Sequence, residues 1–119
     1  MSGTVYWVLQ LQVGDGRDGD LRDLMTRMVK ATEADEPGTI DYLWSLSADG
    51  RSCHIFGRYR DSAAAMVHIG NFMEKFADQF FDILTPTGFV LYGEPDAAVR
   101  DALAGFNPTI MVNADGFRR

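Results

Sequence analysis

From Thr39 to Ser47 the chain alternates, with Ile40, Tyr42, Trp44 and Leu46 on one face and Thr39, Asp41, Ser45 and Ser47 on the other. The turn triplet Ala48-Asp49-Gly50 follows, and Ser52 to Arg60 (SCHIFGRYR) returns to strand-forming residues. A period of two on both sides of such a turn predicts a β-hairpin. Helical patterns flank it. Before it, Leu21, Leu24, Met25, Met28, Val29 and Thr32 recur at helical spacing behind Asp20, a candidate N-cap. This helix stops before Glu36-Pro37-Gly38, because Pro37 disfavours helical geometry at Glu36. After the hairpin, Asp61 caps a helix opening Ser62-Ala63-Ala64-Ala65-Met66, and Gly70-Asn71 is expected to interrupt it. Its continuation carries Phe72, Met73, Phe76, Ala77, Phe80, Phe81 and Leu84 as one wide apolar stripe.

Strands on the outside complete the order. Val5 to Val13 (VYWVLQLQV) is rich in β-branched and aromatic residues, and Phe89 to Gly93 reads as a fourth strand after the helix end at Thr85-Pro86-Thr87-Gly88. The order β-α-β-β-α-β predicts an α+β, ferredoxin-like fold: an antiparallel four-stranded sheet with both helices on one face. Residues 94–119 extend this core of about 5–93. Pro95 suits the first turn of a short helix to about Leu103, and residues 107–113 read as a short fifth strand. With 119 residues and no linker, the chain reads as one domain over 1–119.

Two helices cover one face of such a sheet, and the other face is not polar throughout. Val5, Trp7, Leu9, Leu11 and Val13 share one side of the first strand, yet Tyr6 and Val8 lie on the other, and His54 and Phe56 add bulk in the third. Burying both faces is simplest in a closed two-fold homodimer.

Charge and cysteine content remove several function classes. Eleven Lys and Arg against seventeen Asp and Glu give a net charge of -6, which disfavours nucleic acid as a partner. Cys53 is the only cysteine, so an intrachain disulfide or a cysteine-built metal centre is ruled out. With His54 and His68 the only histidines and no carboxylate spaced beside them for ligation, no metal site is expected. The first apolar stretch lacks a basic leader and is too short to span a bilayer, so no membrane association and a cytoplasmic location are expected. Gly14, Gly16 and Gly19 have G-x-G-x-x-G spacing. A parallel βαβ context is missing, and Asp15, Asp18 and Asp20 would repel a pyrophosphate, so this is read as a turn.

Three short stretches resemble the antibiotic biosynthesis monooxygenase (ABM) domain of the dimeric α/β-barrel superfamily. Glu36-Pro37-Gly38 with Tyr42 resembles the family's E-P-G-x-x-x-Y lead into its second strand. Phe56-Gly57-Arg58-Tyr59-Arg60-Asp61 resembles its third strand, with Gly57 where the family carries Glu. Ala64-Ala65-Met66-Val67-His68-Ile69 is similar to its A-x-x-x-H-L helix start. No histidine follows His68, and Trp7 and Trp44 fall on strands, so the resemblance does not extend to the haem-degrading branch. What it implies is a dimeric barrel and an oxygenase that acts on anthrone- or quinol-type aromatics without a cofactor.

Such chemistry asks for an apolar slot, a base, and donors for a developing phenolate. His68 is the candidate base, because imidazole titrates near neutral pH; its other reading is a helix histidine pairing with an acid or with backbone carbonyls. Asn71 is a candidate donor to a substrate oxygen or a helix-terminating residue. Tyr59, Tyr42 and Trp44 offer ring faces with polar tips, and Phe56, Phe72 and Phe76 offer apolar wall; all six also suit a plain core. Arg58 and Arg60 suit a substrate carboxylate or a solvated strand end, and Cys53 reads as a buried thiol. The residues alone leave two functions open: an oxygenase, or a non-catalytic barrel holding a small hydrophobic ligand.

Overall fold

The computed structural model describes residues 3–119; Met1 and Ser2, the start of the domain read over 1–119, lie outside the described residues. The elements run β1 (Val5–Val13), α1 (Asp18–Asp35), β2 (Thr39–Leu46), β3 (Ser52–Tyr59), α2 (Ser62–Lys75), α3 (Ala77–Ile83) and β4 (Leu84–Gly93). The extension adds α4 (Ala97–Leu103), a 3-10 turn (Ala104–Phe106) and β5 (Thr109–Met111). In the sheet the order is β2-β3-β1-β4-β5. Pairings among β1 to β4 are antiparallel, and β5 joins β4 in parallel. This is the expected α+β, ferredoxin-like arrangement with a short helix and strand appended.

Alternation along the strands decides what faces the helices. Val5, Trp7, Leu11 and Val13 of β1, Cys53, Ile55 and Tyr59 of β3, and Phe89 and Leu91 of β4 are buried. They meet Leu21, Leu24 and Met28 from α1, Ala64 and Ala65 from α2, and Phe80 and Ile83 from α3. Burial pushes the Cys53 thiol up to about 11, which keeps it protonated and unreactive at neutral pH. Tyr6, Val8, Phe56, Arg58, Val90 and Tyr92 take the opposite face. No helix covers it.

Several boundaries differ from the sequence-based expectations, each for a local reason. Helix α1 starts at Asp18 rather than behind Asp20, and Arg17 at its N-cap pairs with both Asp20 (2.7 Å) and Asp82 (2.9 Å). Gly70-Asn71 does not interrupt α2; the break falls at Phe76 (φ -129°), between α2 and α3. Ile40 leaves the inward set, because a bulge between Thr39 and Asp41 turns it out to 48% exposure. Residues 85–88 belong to β4 instead of ending a helix. A second bulge, opposite Gln10 and Leu11, accommodates Pro86 in the ladder. In the extension Pro95 precedes α4, whose N-cap is Asp96, and β5 is shorter than expected.

Gly57 has a packing role. A Cβ there would collide with the Tyr59 hydroxyl and lie 2.9 Å from Tyr59 Cζ. Gly57→Ala is therefore expected to cost about 1–3 kcal/mol, the usual range for overpacking. Pairing it with Tyr59→Phe should return part of that loss in urea denaturation, since the hydroxyl is the first atom struck.

Candidate active site

The Glu36-Pro37-Gly38 triplet builds the polar end of the site. Glu36 closes α1, its N–H donating to the Thr32 carbonyl at 3.0 Å, and Pro37 prevents a further turn. Gly38 is needed because a Cβ there would sit 2.6 Å from the Cβ of Ala64 on α2. That close approach sets Glu36 beside the next turn of α2, where His68 lies four residues beyond Ala64. Both are buried, and His68 Nδ1 is 2.7 Å from Glu36 Oε1. Asn71, three residues on, donates to Glu36 Oε2 at 3.1 Å, and Thr39 Oγ1 donates to Oε1 at 3.0 Å.

The surroundings of the carboxylate favour its ionised form. Burial pushes the Glu36 carboxyl up, but the hydrogen bond and charge of His68, helped by Asn71 and Thr39, outweigh it and hold the pKa below the ordinary value. An ionised carboxylate only accepts, so Nδ1 of His68 carries the hydrogen of this contact and Nε2 is the ring nitrogen left for another partner. Because the folded carboxyl titrates below its unfolded value, its stabilisation is present above the unfolded value and lost as pH falls through the folded one. The urea midpoint of the wild type should therefore fall more steeply below about pH 4.5 than that of Glu36→Gln.

His68 opens onto an apolar slot between α2 and α3 on one side and the sheet on the other. Trp7, Tyr42, Ile55, Phe72, Phe80 and Phe89 form much of its wall. The slot is narrow: the centre of a water molecule can move through about 70 Å³, and the whole void, out to the open mouth, is about 620 Å³. Among the described residues that line it, His68 and Tyr42 alone carry titratable groups. Burial pushes the Tyr42 hydroxyl well above its usual range, so it stays a neutral phenol and a donor. Tyr59 packs behind the wall, its ring tilted against Trp7 (centroids 4.5 Å apart) and His68 (5.1 Å). Burial, with the nearby Glu36 carboxylate, raises it too, and its hydroxyl is buried with no hydrogen-bond partner among the described residues.

Of the sequence candidates, His68, Tyr42 and Phe72 line the slot together. Trp44 packs edge-on against Tyr42 (6.4 Å) and Phe80 (6.1 Å), one layer back. Phe76 packs on the core at the α2–α3 junction. Phe56 is corrected to the outer face of the sheet, where it meets Tyr6 at 6.2 Å, because Ile55 and Gly57 on either side of it point inward. Asn71 commits its amide to Glu36 and does not line the slot. Arg58 pairs with Asp41 (2.7 Å) on the outer face, away from any slot carboxylate. Sequence reasoning missed Glu36 as a site residue. Its signal was a carboxylate fixed at a helix end by Pro and Gly. No group of three or more His, Cys, Asp or Glu among the described residues could hold a metal ion.

Solved structures share this architecture. MupZ from Pseudomonas fluorescens superposes with a TM-score of 0.86 at 19% identity, covering 98% of this chain and 94% of that one. A structure from Caulobacter crescentus, provisionally assigned as an antibiotic biosynthesis monooxygenase, matches at 0.65 and 16% identity over 76% of this chain and 86% of its own. The chain has the fold of the antibiotic biosynthesis monooxygenases. SnoaB from Streptomyces nogalater, a cofactor-independent oxygenase with the same ABM fold, matches at 0.64 and 17% identity, covering 80% and 96%. No protein-family model matches the chain, and no curated protein matches it in sequence. No helix among the described residues is long and apolar enough to cross a membrane.

Proposed function

We propose that the chain is a homodimeric oxygenase for a small, flat, neutral aromatic of the anthrone or quinol type, working without metal or flavin. The observation that carries this reading is the buried Glu36–His68 pair at 2.7 Å, set on an otherwise apolar slot. His68 Nε2 takes the acidic C–H or O–H proton of the substrate, and Glu36 stabilises the imidazolium through Nδ1. Tyr42, the one hydroxyl among the described residues on the slot wall, turns from Trp44 and Thr32 to donate to the oxygen on which negative charge builds, and Tyr59 holds the His68 ring from behind. The substrate anion passes one electron to O2; the resulting radical and superoxide combine as a peroxide anion. His68 returns the proton, and loss of water leaves the carbonyl product, so one oxygen atom is inserted and one leaves as water. Apolar walls keep bulk water from the reactive anion.

A dimer is supported by the uncovered sheet face. Tyr6 stacks on Tyr92 (5.1 Å, 6°) beside Phe56, and Leu43 stands 58% exposed in the same layer. This is the kind of apolar patch that a second copy covers. Oxygen uptake with a panel of anthrones and hydroquinones tests the activity. Uptake well above the protein-free rate with at least one compound is expected. Tight binding without any uptake would favour a ligand-holding barrel instead.

A further inference from the structure

Resting on the reading of the slot as a substrate pocket, we propose that the C-terminal extension is its specificity-determining end wall. Phe106, backed by Leu103, sets the longest ligand the site accepts. Both side chains line the slot although they lie beyond β4. A row of rings gives its direction: His68 to Trp7 (6.2 Å), Trp7 to Phe89 (5.9 Å), and Phe89 to Phe106 (6.4 Å). Phe106 is three ring contacts from the base along this path and makes no direct ring contact with it. Phe106 also stacks on Phe81 at 6.0 Å, which joins the extension to α3 across the slot.

The wall is anchored on both sides. Upstream, Asp96 caps α4 through the Val99 N–H (3.0 Å), the Asp96 N–H donates to Ser62 Oγ (2.9 Å), and Val99 and Leu103 are buried in the core. Downstream, Asn107 turns the chain in the left-handed region (φ 52°, ψ 56°), and Thr109 joins the ladder beside Val90. Phe106 is thus held at a fixed place by two attachments, as an end stop must be.

Calorimetric titration with 2-alkyl-1,4-naphthoquinones of increasing chain length tests this without turnover. Wild-type affinity should rise with each added carbon and then drop at a cut-off length. Phe106→Ala should bind the first rejected homologue about tenfold or more tighter, the usual worth of one methylene's fit. Phe106→Trp should move the cut-off to a shorter chain. Phe117→Ala, in the extension but 82% exposed, should leave it in place. Phe106 is only half-buried, so both variants should fold, which their thermal unfolding checks. A cut-off unchanged in both Phe106 variants overturns the proposal, as does a wild type that binds no homologue. Absence of oxygen uptake would overturn the oxygenase reading and leave this cut-off standing.

Discussion

Replacing His68 with alanine should lower oxygen uptake with a responsive anthrone by about 10²–10⁴-fold, the range a positioned general base contributes. Glu36 keeps its hydrogen bonds from Asn71 and Thr39 in this variant, and thermal unfolding checks that the variant is folded before its rate is read. Glu36→Gln should act in the same direction but less. Gln still accepts the Nδ1 hydrogen, yet the charge-assisted bond becomes a neutral one weaker by about 1–1.5 kcal/mol, roughly tenfold in rate. Equal rates for wild type and both variants would remove His68 from the chemistry.

The second large effect concerns assembly. Phe56→Glu puts a charge in the centre of the uncovered sheet face, beside Tyr6 and Tyr92. If two copies meet there, the change should weaken association by about 2 kcal/mol or more, at least about 30-fold in Kd. Asp41 and Arg58 on the same face already neutralise each other at 2.7 Å and offer no partner for the new carboxylate. Sedimentation at micromolar concentration should show two chains for the wild type and one for Phe56→Glu. A wild type that sediments as a single chain contradicts the dimer.

The fold was legible because period and punctuation agree. The alternating hairpin, the helix stop at Pro37 and the Asp61 cap each describe a local event that tertiary contacts leave alone, and Asp61 does accept from the Ala64 N–H at 2.9 Å. What could not be read were events that depend on a neighbouring strand. The bulges at Ile40 and opposite Gln10 and Leu11 are set by register, and register reverses which side a residue faces. Phe56 is the clearest case: its aromatic character fits pocket and interface alike, and only its place between Ile55 and Gly57 decides. Likewise Gly70 reads as a helix breaker, but a glycine inside a helix costs only about 1 kcal/mol relative to alanine, and α2 runs through it. Glu36 escaped notice because its partner is 32 residues away, a distance that no local pattern records.

The reading turns on whether His68 removes a proton inside the slot. Under argon, 1,8-dihydroxyanthrone mixed at neutral pH with an excess of protein should show the absorption band of its anion with the wild type. The band should be absent with His68→Ala at the same bound fraction. An anthrone that is bound by the wild type yet keeps its neutral spectrum would contradict the account.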